Sequence, residues 1–267
     1  SCRPQPRTSG FISAPSNRAP IASVTVFWDV HSHVVPSGDD GAQSLDEGIA
    51  LCRAASERGT SVLFATPHIW PSLRLTEERE ERVREAHAQL GEEAASFGLD
   101  LRLGFELTPA PRLLDENLER YRLGGLPAVL MELPFHGSLG LAEALAGRIQ
   151  GSGLVPVIAH PERSEAVVAD PGLAAGLSER GWLLQMNATS VLGYHGAAVE
   201  LTAWRLLGDG LVDLFGSDGH RTARPAILDD AYRLVEARAG EGARRLFDGS
   251  ALAGLAAGDG VDLAQGR

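Results

Sequence analysis

The sequence predicts an α/β domain of the TIM-like (β/α)7-barrel class, and three observations carry that expectation. Seven apolar, β-rich runs recur at fairly even spacing, helical patterns lie between most of them, and imidazole or carboxylate side chains follow most of the runs. Continuous apolar strands suit a parallel sheet covered on both faces, and strand–helix alternation is how parallel sheets are connected. A length of 267 residues is usual for one such barrel.

The expected strands are Val24–Val30, Ser61–Thr66, Leu101–Leu107, Ala128–Leu133, Leu154–Ala159, Trp182–Asn187 and Val212–Gly216. Ser44 and Glu47 form a capping box, which opens a helix that should stop at Gly59. Thr76 opens a long charged helix ending before Gly98, and Leu141–Gln150 is a short amphipathic helix closed by Gly151 and Gly153. Further helices are expected at Pro171–Arg180, Ala197–Leu207 and Pro225–Ala239, with a weaker pattern at Leu113–Arg120. Residues 1–22, rich in Ser, Pro and Arg without an apolar stretch, read as a disordered leader. No composition shift or repeat divides residues 23–267, so one domain is expected there.

Composition narrows the function. Hydrophobic residues make up 44%, enough for a full core, and mean hydropathy is −0.04. No apolar run approaches the roughly 18 residues of a membrane helix, so membrane insertion is not expected. The formal net charge of −11 argues against a nucleic-acid partner held through its phosphates, since such surfaces are basic. It leaves a phosphorylated substrate open, because bound cations dominate the field inside a site. Cys2 and Cys52 form no CxxC pair and no disulfide framework, which fits a reducing cytoplasm.

His31 and His33 follow the first expected strand and His68 the second. Glu106 and Glu132 lie near the ends of the third and fourth, His160 follows the fifth, and Asp218 and His220 follow the seventh. In a parallel barrel the C-terminal strand ends converge on one face. Several carboxylates brought together there would repel one another, and divalent cations would relieve that repulsion and use every group as a ligand. In His31-Ser32-His33 the alternate side chains share one face of an extended chain, so two imidazoles can grip one ion.

The segments Asp29-Val-His-Ser-His33, Asp39-Asp40-Gly41, Ala65-Thr-Pro-His68, Ala159-His-Pro-Glu-Arg163 and Ser217-Asp-Gly-His220 together resemble the polymerase-and-histidinol-phosphatase (PHP) superfamily. Within it they resemble the bacterial tyrosine-protein phosphatases of capsular and exopolysaccharide synthesis. The resemblance implies a distorted (β/α)7 barrel holding three divalent metal ions, manganese foremost, with iron or zinc as alternatives. It implies that His31, His33, Glu106 and Asp218 hold the first ion. Glu106, Glu132 and His160 would hold the second, and Asp40, His68 and His220 the third, with Asp39 the alternative to Asp40. Arg163 would bind the substrate phosphate, with Arg224 a second clamp. Two departures stand out: the family's SDAH is Ser217-Asp-Gly-His220 here, and the gap from His220 to Arg224 is one residue short, so Arg221 is the alternative clamp.

The implied reaction is hydrolysis of a phosphate monoester, protein phosphotyrosine foremost, by a hydroxide formed on the metals, with a tyrosine autokinase of polysaccharide export as the expected partner. A phenolate with a parent pKa of about 10 needs less help in leaving than an alkoxide. His136 and His195 are the candidates for a general acid. Histidinol phosphate, another small phosphate ester or a nucleic acid is the alternative substrate, and a non-catalytic, metal-stabilised regulator of polysaccharide assembly is the alternative class. Cys52 and Arg58 share the C-x5-R spacing of cysteine phosphatases, but Cys52 falls within an expected helix with no glycine loop to cradle phosphate. Asn187 is a candidate to orient a metal ligand, and Trp70 a candidate for the pocket mouth.

Overall fold

The computed structural model describes residues 26–256. The expected leader 1–22, Cys2 and the outer ends of the expected domain lie outside the described residues.

The chain runs β1 (Phe27–Ser32), α1 (Leu45–Glu57), β2 (Thr60–Ala65), β3 (His68–Ile69), α2 (Glu77–Ser96), β4 (Asp100–Leu103) and β5 (Glu106–Leu107). Three short 3-10 turns cross 111–125 in place of the weak helix expected at Leu113–Arg120. There follow β6 (Ala128–Glu132), α3 (Gly140–Gly151), β7 (Val155–Ala159), α4 (Glu165–Ala169), α5 (Gly172–Glu179), β8 (Leu183–Asn187) and α6 (Ala188–Val191). The last elements are α7 (Ala197–Gly208), β9 (Leu214–Gly216), α8 (Asp229–Ala239) and α9 (Ser250–Ala256).

The strands form two parallel sheets, in the orders β1-β2-β4 and β3-β5-β6-β7-β8-β9. Among the described residues nine strands stand where seven were expected, because β3 lies beyond the end of the second run and the third run is divided into β4 and β5. Pro67, which has no N–H to donate, separates β2 from β3, and Gly104-Phe105 separates β4 from β5. The sheets stay in register across the breaks: Gly104 N donates to Ala65 O at 2.8 Å and Glu106 N to Pro67 O at 3.2 Å. Beyond β9, the backbone bridges to the end of β1, with His33 N donating to Gly219 O at 2.7 Å and Asp218 N to His31 O at 2.8 Å.

Alternate strand residues face one inner cluster that includes Val30, Phe64, Leu130, Val157, Leu183 and Leu214, drawn from both sheets. The opposite faces and the helices build a second, larger core. Each fully buried aliphatic side chain contributes about 1.5–3 kcal/mol, so the strand ends rest on a stiff base. Local signals behave as expected at the helix ends. Ser44 accepts from Glu47 N at 3.2 Å and Thr76 from Arg79 N at 3.2 Å, and Gly59 and Gly98 close α1 and α2 with φ of 93° and 79°.

Two boundaries differ for a reason that matters to the site. β1 covers Phe27–Ser32 and runs past the expected end at Val30, so His31 lies within the strand, while the expected start at Val24 lies outside the described residues. Polar Asp29 is buried there because its carboxylate accepts from Ser217 N at 2.9 Å, a partner an apolar pattern does not reveal. α8 begins at Asp229 rather than near Pro225. The residues before it turn back through Arg224 N donating to Arg221 O at 2.7 Å, which returns Arg224 to the strand ends.

Candidate metal centre

The C-terminal strand ends deliver their polar side chains to one pocket. At its centre Glu106, fully buried, is ringed by four imidazoles. Its Oε2 lies 3.1 Å from His31 Nε2, 3.3 Å from His33 Nε2 and 2.9 Å from His68 Nδ1, and its Oε1 lies 3.1 Å from His160 Nε2. Asp218 Oδ1 lies 3.6 Å from His31 Nε2, 3.4 Å from His33 Nε2 and 3.3 Å from His220 Nδ1. Glu132 joins through Thr108, whose hydroxyl donates to it.

Hydrogen bonding behind the rings fixes which nitrogens face inward. Gln185 Nε2 donates to Met186 O at 2.7 Å, which turns Gln185 Oε1 toward His31 Nδ1 at 2.9 Å. Nδ1 must carry the proton of that bond, so His31 Nε2 presents a lone pair to Glu106 and to His33 Nε2 at 3.1 Å. Lone pairs and carboxylate oxygens thus converge, and Glu106 Oε2 is buried without a proton donor. Cations satisfy such an arrangement. Among the described residues, donor atoms of His31, His33 and Asp218, of His31, Glu106 and His160, of His68, Glu106 and Glu132, and of His33, His68 and His220 lie in sets within 4.8 Å. The donor set therefore fits divalent metal ions.

The electrostatics agree. Burial opposes charge on Glu106 and Asp218, yet the imidazoles, His31 foremost, hold both carboxyls well below the usual range. Burial also opposes protonation of His31 and His33, but the carboxylates, with Glu106 leading at His31 and Asp218 at His33, raise both, His33 strongly. Burial, reinforced by Glu106, pushes Glu132 up to about 8. Burial and neighbouring His33 push His220 down to about 2. The pocket demands positive charge, and bound cations meet that demand without protonating its ligands.

The Asp39-Asp40-Gly41 turn separates two roles. Asp40 Oδ1 lies 3.5 Å from His68 Nε2 and 3.3 Å from His220 Nε2, so it faces those two rings. Asp39 turns behind them: its carboxylate accepts from His68 N at 2.9 Å and from Gly41 N at 3.1 Å, and lies 3.6 Å from His33 Nδ1. Gly41 passes so close that a Cβ would sit 2.4 Å from His33 O.

Two of the inward groups occupy left-handed backbone, His160 at φ 34° and Asp218 at φ 53°. Such conformations cost about 1–3 kcal/mol in non-glycine residues and cluster at functional sites. Next to Asp218, a Cβ on Gly219 would sit 2.5 Å from Ala226 Cα. The chain returning through Arg224 to Ala226 packs directly on residue 219, which leaves no room for a side chain there.

Arg163 Nη1 donates to Asp218 Oδ2 at 2.8 Å and its guanidinium lies 4.8 Å from the Phe135 ring centre. Arg224 reaches Asp218 from the other side, Nη2 to Oδ1 at 3.0 Å and Nε to the carbonyl at 2.8 Å, and crowds His220. Arg221 instead pairs with Glu47 on α1 at 2.7 Å, so of the two arginines it is Arg224 that lies on Asp218. Asn187 Nδ2 donates to Asp218 Oδ2 at 2.9 Å and orients it. Trp70 stacks on His68 with centroids 4.6 Å apart. His195 bonds Thr189 at 2.8 Å, and burial together with Arg163 lowers its pKa to about 4. His136 is exposed and pairs with Glu165 at 3.1 Å. Cys52 is buried in α1, its thiol pushed up to about 12 by burial, and Arg58 pairs with Asp229 and Asp230.

Sequence reasoning missed Gln185, Asp29 and Glu162 as supports. Glu162, fully buried within Pro161–Arg163, accepts from Asn187 N at 3.0 Å and Ser190 Oγ at 2.7 Å. Its only sequence signal is a charged residue directly after a proline that follows a ligand.

The family model described as "Capsular polysaccharide synthesis, CpsB/CapC" matches residues 27–250. This chain belongs to the CpsB/CapC family. The tyrosine-protein phosphatase YwqE of Bacillus subtilis is 31% identical over 196 residues, 72% of this chain and 76% of the relative. The tyrosine-protein phosphatase CpsB of Streptococcus pneumoniae is 27% identical over 232 residues, 82% and 94% of the two chains. A solved structure from work on B. subtilis YwqE and S. pneumoniae CpsB, described as unique metal-dependent tyrosine phosphatases, matches with a TM-score of 0.76 at 28% identity. It covers 86% of this chain and 93% of that one. This chain thus has a mixed α/β architecture with parallel sheets, and no helix among the described residues is long and apolar enough to cross a membrane.

Proposed function

We propose that this CpsB/CapC-family chain hydrolyses phosphotyrosine in proteins, using divalent metal ions held at the C-terminal strand ends. The observation that carries the reading is the sealed Glu106 carboxylate facing four imidazoles, with Asp218 beside it and Arg163 and Arg224 both on Asp218. Relatives over most of the chain bear the name tyrosine-protein phosphatase, which favours this substrate over histidinol phosphate. The strands are read as a distorted (β/α)7 barrel, supported by the Ser32–Gly219 bridge and by the inner cluster common to both sheets.

In this reading His31, His33, Glu106 and Asp218 hold one ion, Glu106, Glu132 and His160 a second, and Asp40, His68 and His220 a third, with manganese favoured. Bound there, such ions activate water and offset charge on phosphoryl oxygens. The chain's own groups do the rest. Gln185 holds the His31 tautomer that turns Nε2 inward. Asn187 and Arg163 hold Asp218 in its left-handed turn. Arg163 keeps N–H donors beyond its bond to Asp218 and presents them to the phosphate, where a planar fork suits two oxygens. Arg224 supports the opposite side. A phosphotyrosine-bearing protein, with a polysaccharide-export autokinase as the expected case, supplies the ester.

The test is hydrolysis of a panel: phosphotyrosine peptide, phosphoserine peptide, histidinol phosphate and single-stranded DNA, with Mn2+ and after chelation. Metal-restored preference for the phosphotyrosine peptide is expected. Preference for histidinol phosphate or DNA would move the chain to another substrate class, and absence of turnover with every metal would make it a binding protein.

A further inference from the structure

Arg79 is a buried cation outside the ligand set and outside the chemistry above. It stands in the first turn of α2 and is 4% exposed. That place is locally unfavourable twice over, since a helix N-terminus favours anions and burial works against the charge. Its side-chain bonds show what it does there. Nε donates to Ser37 O at 3.1 Å, and Nη2 donates to Ser37 Oγ at 3.3 Å and to His68 O at 2.9 Å. Nη1 donates to Leu73 O at 3.1 Å. The fork therefore spans two chain segments, the turn that carries Asp39 and Asp40 and the one that carries His68.

Asp39 completes the grip. Its carboxylate accepts from His68 N at 2.9 Å, so the His68 residue is held at its N–H by Asp39 and at its C=O by Arg79. Both holders are tied to the turn before Asp40. Asp40 itself has a side chain 63% exposed, which leaves little packing to fix it from outside.

We infer that Arg79 is a positioning residue that locks the 37–40 turn to His68, so that Asp40, His68 and His220 face one cation together. This inference rests on the ligand reading proposed above. A ligand on an exposed turn must otherwise be ordered when the ion binds, and preorganisation removes that cost. Loss of such outer support typically weakens metal binding about 10–100-fold.

The test titrates Mn2+ into the metal-stripped full chain by calorimetry, with bound metal counted by mass spectrometry. The variants are Arg79→Gln, Arg79→Lys, Asp40→Asn and the Arg79→Gln/Asp40→Asn double. Expected is a roughly 10–100-fold weakening of one bound Mn2+ in both Arg79 variants, with the others unchanged. In the Asp40→Asn background, adding Arg79→Gln changes nothing further, because the two act on the same ion. A general structural role would instead weaken every ion and add to Asp40→Asn. Arg79→Lys keeps the buried charge but not the fork, so it carries the measurement if Arg79→Gln does not fold. Unchanged Mn2+ binding in the Arg79 variants, or additivity with Asp40→Asn, overturns the inference. Unchanged binding in Asp40→Asn overturns both the ligand reading and the inference, whereas a loss there without one at Arg79 removes the positioning role alone.

Discussion

The inner wall and the outer rim of the pocket are built differently. The inner wall, Glu106 with His31, His33 and His160, is fully or almost fully buried, and three of its four members sit in or beside strands β1 and β5. In the outer rim, Asp40, His220 and Arg224 hang on turns and His68 opens the two-residue strand β3, and Asp40 and Arg224 reach solvent. A strand-borne ligand inherits its position from the sheet. A turn-borne ligand needs dedicated bonds, and the structure supplies them through Asp39, Arg79 and the return of Arg224 over Asp218. On the ligand reading proposed above, loss of an inner-wall residue is expected to cost more bound metal than loss of a rim residue.

The largest effect expected from that contrast is at Glu106. Glu106→Gln keeps the shape but removes the charge four imidazoles share, so it should release more than one metal equivalent and lower kcat/KM on the order of 10^4-fold. Metal analysis beside kinetics checks this, and full metal content would break the distinction. Arg163→Ala is expected to retain metal while losing about 10^2–10^3-fold in kcat/KM. Metal loss in that variant would make Arg163 part of the inner wall. At the seam between the regions, Gly219→Ala should cost about 1–3 kcal/mol from the clash with Ala226, read as a lower denaturation midpoint with reduced activity.

A smaller, pH-dependent effect sharpens the same contrast. Glu132 has its carboxyl pushed up to about 8 from an ordinary 4.5 by burial and by Glu106. A raised carboxyl favours the neutral form in the fold, so in the metal-free chain its contribution is intact below about pH 4.5 and is lost progressively up to about pH 8. Metal binding needs the carboxylate, so uptake should release protons near pH 7 and tighten as pH rises toward 8. Calorimetry in buffers of different ionisation enthalpy measures the release, and uptake without protons would contradict it. Cys52 bears on the rival cysteine chemistry: its thiol, raised to about 12, should resist alkylation in the native chain at pH 8.5 and react only after unfolding.

Much of the candidate site was legible because its imidazoles and carboxylates follow apolar runs at positions a pattern can see. His31, His33, His68, Glu106, Glu132, His160 and Asp218 all meet in one pocket, as strand-end convergence predicts. β1 runs on to Ser32, past the expected end at Val30, and its Asp29 is held by a bond from Ser217, 188 residues away in sequence. The third run split at Gly104-Phe105, and α8 started late because the chain first returns Arg224 to Asp218. At Asp29 and at Arg224 the partner is a distant residue, which a local apolar pattern does not reveal.

The sequence by itself determined the alternation of strand and helix, the caps at Ser44 and Thr76, and the kinds of side chain at the strand ends, because periodicity and capping act within a few residues. Only the tertiary structure decided that Asp40 rather than Asp39 faces the rings, that Arg224 rather than Arg221 lies on Asp218, and that Arg79 grips His68. Neighbouring residues of one type look alike in a pattern, and a one-residue difference in backbone direction, set by distant contacts, turns one inward and the other away.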